Sequence, residues 1–142
     1  MIQDSIKAVI DILKADAGII TLVGTRVFGI ELPQAEAASM PRKAIVVKPS
    51  GGSGFGVGER DYIEHSAPRI DVFSYGETPY EAGKVRREVY DVLKQLTRTV
   101  INSTLIHWAN PAGGPIPLRD PDTDWPLQFE SFQVFFAERA VA

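Results

Sequence analysis

The chain has 142 residues, 44% of them hydrophobic, which is enough for one domain with a real core and too little for two ordinary ones. It contains no cysteine, which excludes disulfide scaffolds, cysteine-ligated zinc, iron–sulfur clusters and thiol nucleophiles. Fifteen basic residues stand against 18 acidic ones, a formal charge of -3, and both signs are spread evenly over the two halves, so no sequence-wide attraction to nucleic acid is indicated.

In chain order, Ile2, Ile6, Val9, Ile10 and Leu13 recur at the helical period, while Asp4, Lys7, Asp11 and Lys14 fall on the opposite face at spacings that pair opposite charges. This predicts an amphipathic first helix without the basic start and continuous apolar run of a cleaved signal. Ala15–Gly18 interrupts it, and Ile19, Ile20, Leu22 and Val23 predict a short second helical segment stopping at Gly24. Arg26–Ile30 reads as a short strand, Pro33–Pro41 as an alanine-rich connection, and Lys43–Lys48 as a β-branched strand ending at Pro49. Residues 50–58 hold five glycines in nine positions and predict a flexible loop that orders only with outside contacts.

Arg60–Glu64 and Arg69–Tyr75 are strand-like, the latter with Ile70, Val72 and Ser74 on one face and Arg69, Asp71, Phe73 and Tyr75 on the other. Pro68 predicts a bulge, a bend or an edge position between them. Thr78-Pro79-Tyr80-Glu81 is a capping box, and the helix it opens has the apolar stripe Val85, Val89, Val92, Leu93 and Leu96. Lys84, Arg86, Arg87, Glu88, Asp91 and Lys94 fall mostly outside that stripe, as a solvated face or a protein interface. Thr99–Trp108 reads as one strand, 110–126 as a proline-rich acidic loop, and Leu127–Glu138 as a last strand with Phe132, Val134 and Phe136 on one face. Clustered β segments without repeated βαβ units predict a single α+β domain, 1–142, with an antiparallel sheet and two main helices packed on one face. The longest apolar stretches, such as Ala44–Val47, fall far short of the roughly 20 residues that span a bilayer, so no membrane partner is expected.

Catalytic and ligand motifs stay incomplete. The glycine segment runs into a strand-like stretch with no G-K-[ST] ending, and the G-x-G-x-x-G spacing fails at Val57 and at Glu59. Gly51-Gly52-Ser53-Gly54-Phe55 lacks the final glycine of a nucleophile elbow. Asp120, Asp122 and Asp124 occupy the first, third and fifth positions of a calcium loop, but Trp125 replaces the glycine and Ser131 the bidentate glutamate. The two histidines, His65 and His107, have no companion at metal-ligand spacing, which leaves a small ligand-binding protein or enzyme using His65 or His107 with Asp71 as the alternative class. No cofactor, metal or catalytic set is expected from these residues.

Leu22-Val23-Gly24-Thr25-Arg26-Val27-Phe28 after an amphipathic helix, the Pro41-bounded strand Ala44-Ile45-Val46-Val47, and Arg69-Ile70-Asp71-Val72-Phe73-Ser74-Tyr75-Gly76 feeding a capped helix together resemble the tail terminator or tail completion proteins of long-tailed bacteriophages. The resemblance extends over nearly the whole chain, including the aromatic last strand. It implies a structural virion protein that closes into a homo-oligomeric ring, typically six-fold, at the head-proximal end of the tail. Such a ring stops growth of the tail tube and offers a docking surface to the head-to-tail connector or stopper, with DNA passing through its lumen unread. Other head-to-tail joining or minor tail proteins are the neighbouring alternative. The residues expected at assembly interfaces are Gly51, Gly52, Gly54, Phe55, Gly56, Val57, Gly58, Arg60, Arg86 and Arg87.

Overall fold

A computed structural model describes residues 3–50, 56–57 and 65–141. Helix α1 (Ser5–Ala15) begins at Asp4, whose carboxylate accepts from the backbone N–H groups of Ile6 and Lys7 at 2.9 and 3.2 Å. The expected charge pairing on its outer face is present between Lys7 and Asp11 at 2.9 Å. Asp16 ends α1 and caps α2 (Ala17–Val23), accepting from Ile19 N–H at 3.1 Å, and Gly24 at φ 60° stops it. Strand β1 (Val27–Gly29), a 3-10 helix (Gln34–Ser39) and strand β2 (Ala44–Pro49) follow. After them come β3 (Gly56–Val57), β4 (His65–Ser66), β5 (Arg69–Tyr75), α3 (Pro79–Lys94), β6 (Thr99–Ile101), β7 (Thr104–Arg119) and β8 (Pro126–Ala137).

The fold is α+β as expected, but the sheet is mixed: β1 runs parallel to β2, while the other pairings are antiparallel. The cause is the 3-10 connection, which carries the chain from the end of β1 back to the start of β2 and so allows a crossover where a tight hairpin would have reversed it. Strand β8 organises the sheet, pairing with β7 along one side and with β5, then β4, along the other. Residues 67–68 form the expected bend between β4 and β5, where Pro68 C=O accepts from Val134 N–H at 3.0 Å.

Helices α1, α2 and α3 lie on one face of the sheet. Their apolar sides (Val9, Leu13, Ile19, Val23, Val85, Val89 and Leu93) pack on Ile45, Val47, Ile70, Val72, Phe132, Val134 and Phe136 of the sheet, all of them buried. The alternation read for β5 and β8 is the one observed. Gly83 marks the close approach of α3 to β8, since a Cβ there would lie 2.9 Å from Gln128 Nε2. The other face carries a smaller cluster in which Ala44, Val46, Tyr75 and Leu127 are joined by half-buried Phe73, Trp125 and Phe129.

Three expected elements differ. Thr99–Trp108 is a hairpin between β6 and β7, turning at Asn102 and Ser103, both at positive φ as a type I′ turn requires. The 110–126 loop is mostly strand: β7 pairs with β8 as far as Arg119↔Pro126, accommodating its glycines and prolines by register shifts at 111–113 and 113–116, and only residues 120–125 turn. The capping box forms by half. Thr78 Oγ1 accepts from Glu81 N–H at 3.2 Å, while the Glu81 carboxylate reaches Lys43 at 3.3 Å and Lys84 at 3.4 Å.

Candidate assembly surfaces and a histidine pair

The residues expected at interfaces separate into three groups. Gly51, Gly52, Gly54, Phe55, Gly58 and Arg60 lie outside the described residues. The backbones of Gly56 and Val57 form β3, paired with Ser66 and His65 of β4, so this part of the 50–58 segment joins the sheet margin. Arg86 and Arg87 project from α3 toward the extended end of β7.

Arg86 does not belong to a solvated face. One turn after Ala82 it points down onto β8, where it meets Glu130 at 3.4 Å, and the Glu130 side chain is only 3% exposed. Burial raises the Glu130 carboxyl above its ordinary range, and the Arg86 guanidinium offsets part of that rise. Arg87, one residue on, is exposed. Together with Tyr90, Pro111, Gly114 and Pro115 the two arginines line a groove of about 620 Å³ between α3 and the outer half of β7. Tyr90 holds the groove wall, packing on Phe132 with the Arg86 guanidinium 5.8 Å from its ring centre.

The outer half of β7, Asn110–Arg119, is exposed throughout, and Ile116 and Leu118 each keep 46% of their surface in solvent. Proline occupies positions 111, 115 and 117, which therefore have no N–H to offer a further strand. This edge presents side chains for packing and resists extension of the ladder. Arg69 steadies it from β5, reaching past β8 to donate to Ala112 C=O at 3.0 Å. Sequence reasoning missed this surface because a proline- and glycine-rich run reads as a loop; the signal available was the matching length of β8.

The turn at its tip accounts for the aspartate spacing. Asp120 Oδ1 accepts from the backbone N–H groups of Asp122 and Thr123 at 2.9 and 3.2 Å, and Arg119 donates to Asp124 C=O at 2.9 Å. The first carboxylate is thus turned onto its own turn.

Across the open face of the sheet, Asp71 accepts from Ser131 Oγ at 2.7 Å and Gln133 donates to Ala67 C=O at 3.1 Å. Beyond these polar pairs lies a cluster that no sequence spacing marks. His65 on β4 and His107 on β7 stand on either side of β8 with their ring centres 4.9 Å apart, and Phe135 of β8 lies 5.3 Å from one and 5.1 Å from the other. Burial first, then His65 and Arg98, lowers the pKa of His107. Among the described residues no three histidine or acidic side chains converge. The pair is joined by no Asp71 carboxylate, which is held on Ser131.

No protein-family model matches the sequence, and no curated protein matches it. Among solved structures the chain is similar to a chain in the virion of a native gene transfer agent particle, with 17% identity, 94% of each chain covered and a TM-score of 0.68. It is also similar to the gp17 protein of bacteriophage SPP1, with 16% identity, 94% of this chain and 87% of the other covered, and a TM-score of 0.46. The first likeness establishes a shared fold over nearly the full length of both chains.

Proposed function

We propose that this chain is a structural subunit of a virion that closes into a ring, six-fold in the simplest case, on the head-proximal end of a tail tube. There it ends tube growth and receives the head-to-tail connector or stopper. The observation that carries this reading is the full-length likeness of its fold to a chain of a virion particle. The sequence resemblance to tail terminators points the same way independently, through the phrases around Arg26–Phe28 and Arg69–Gly76.

The surfaces described above suit such a role. Ring closure needs a heterologous interface, one patch of each subunit meeting a different patch of the next. The exposed edge of β7 supplies the first patch, with Ile116 and Leu118 as apolar anchors and prolines that prevent open-ended strand addition. The α3–β7 groove with Arg87, and the β3 margin with Gly56 and Val57, are the further surfaces assigned here to neighbours or tube. Each contact is small, and the ring gains its hold on the tube because six linked subunits dock as one. No residue is assigned to reading DNA, which crosses the lumen without base contacts.

The test is removal of the gene from its virus, with electron microscopy of the resulting particles. Tubes that overrun their normal length or remain unjoined to heads, at normal levels of tube protein, are the expected result. Normal-length tubes that fail only to join heads would transfer the chain to another joining role, and fully joined infectious particles would overturn the virion assignment. On purified protein, Leu118→Ser with Ile116→Ser should leave the subunit folded and abolish rings.

A further inference from the structure

We infer that the outer β7 edge of one subunit packs on the α2–β1 margin of the next copy of this chain, with Leu118 seated in a pocket between the ends of α1 and α2. The inference rests on the ring reading above and names the second patch that a heterologous contact requires. Among the described residues, β1 pairs only with β2 and the outer half of β7 only with β8, so these strands bound the sheet on opposite sides. The ladder sets their level. Leu118 pairs with Leu127, Leu127 with Tyr75 and Tyr75 with Ala44, beside which Arg26 leads into β1. Two residues along, a parallel row runs from Ile116 through Phe129, Phe73 and Val46 to Phe28. Rotation about an axis along the strands keeps such rows level, so Leu118 of one subunit meets residues 24–26 of its neighbour. Pairing the β7 edge with itself would instead give a two-fold dimer, which closes without a ring.

The chemistry at that place is complementary. Lys14, Ile20, Gly24 and Thr25 line a pocket of about 230 Å³. Gly24, at φ 60°, keeps it open, and a Cβ there would lie 3.7 Å from Arg26 Nη1. Ile20 leaves 49% of its surface in solvent and Leu118 46%, so contact between them removes apolar surface that each subunit alone keeps wet. Charge matches as well. Lys14 on the pocket wall and Arg26 beside Gly24 are cations; of the acids near them, Asp16 caps α2, Glu36 is held by Arg42, and Glu77 acts on Arg26. On the opposite margin Leu118 is followed by Arg119 and by three carboxylates, Asp120, Asp122 and Asp124, the last with its side chain 82% exposed. An acidic tip facing a basic pocket steers subunits head to tail, and two acidic tips repel each other.

The chain has no cysteine, so introduced pairs report the contact directly. Rings from concentrated protein, or detached from tails, are prepared with Leu118→Cys plus Ile20→Cys, or with Leu118→Cys plus Thr25→Cys, and oxidised mildly. Denaturing gels should show a ladder of covalent multimers for at least one of the two double variants. Each single variant should stay monomeric, and co-assembly of the two singles of a pair should stop at dimers. Ile20→Ser should leave the thermal melt of the subunit unchanged and raise the concentration needed for rings by about tenfold or more. Lys14→Glu should weaken assembly by about tenfold at low salt, and adding Asp122→Lys with Asp124→Lys should restore it. Rings that form, tolerate Ile20→Ser and give no ladder in either double variant would overturn this pairing and leave the ring reading standing. Cross-linking by Leu118→Cys alone would place β7 edges against each other and overturn it as well. Absence of rings both in solution and on tails would remove the ring reading and this inference with it.

Discussion

One strand lives in two environments. The first six residues of β7, Thr104–Ala109, are all buried or half-buried beneath α3 and beside β6, while the next ten, Asn110–Arg119, are exposed at every position. Both halves pair with β8, so ladder hydrogen bonds alone do not distinguish them. The difference is what lies on the side chains. The inner half is held by the common core, and the outer half by pairing, by Arg69 and by its tip, which makes it the part of the sheet free to serve a neighbour.

The largest expected contrast follows directly. Phe132 is fully buried and stands opposite Pro111 in the ladder. Phe132→Ala should cost about 3–5 kcal/mol, as large aromatic truncations in cores do. Leu118→Ala, eight positions outward from Asn110, should stay within about 0.5 kcal/mol in the isolated subunit. Denaturant melts of both variants check this, and equal costs would show that the outer half belongs to the core after all.

A middle-sized effect is expected where the two regions meet. Arg86→Ala leaves Glu130 buried without its cation, which should cost about 2–3 kcal/mol at neutral pH. The pH dependence has a defined sign. Because the folded pKa of Glu130 is raised, the native state holds that proton more tightly than the unfolded chain, so the associated stability is full below the unfolded pKa and is lost as pH rises through the folded one. Acidification should therefore shrink the Arg86→Ala deficit, and Glu130→Gln should flatten this part of the stability profile. A deficit that grows on acidification would contradict the assignment.

Smaller again is the anchor of the outer half. Arg69→Ala removes one hydrogen bond to Ala112 C=O and should cost about 1 kcal/mol. The sharper readout is local: amide exchange should quicken across 112–119 while the buried residues of α3 and β5 keep their protection. Uniform quickening would mean that Arg69 supports the whole domain.

The same contrast explains what the sequence disclosed. Where one face is buried, period and burial coincide, and the alternation in β5, the Phe132-Val134-Phe136 row and the stripe of α3 were all readable. The Thr78 cap was readable too, because its chemistry is local. Exposed β7 was not, since its strand state depends on β8 and its own composition argues for a loop. The parallel β1–β2 pairing depends on the path of a connection, and the Asn102-Ser103 turn lacks the glycine that usually marks it. Arg86 reads as part of a solvated face or a protein interface because spacing places a residue on a helix face but does not reveal a buried acid on a distant strand. The histidine pair was invisible for the same reason: 42 residues separate His65 from His107, and only β8 brings them together.

The smallest effect belongs to the tip of the hairpin. Asp120 Oδ1 accepts two backbone N–H groups, so Asp120→Ala removes an Asx-type turn bond set at a solvent-exposed site, where the freed amides are hydrated at once. The cost should be about 0.5–1 kcal/mol, comparable with loss of a modest cap. Asp120→Asn keeps an acceptor oxygen in place and should recover most of it. If the carboxylate instead serves a cation, calcium should raise the Tm of the parent chain and neither variant should respond. Since the oxygen is already turned onto Asp122 and Thr123, the expected outcome is a Tm indifferent to calcium, with Asn close to the parent and Ala slightly below. A calcium-dependent rise abolished by Asp120→Asn would show that charge, and not turn geometry, sets the role of this tip.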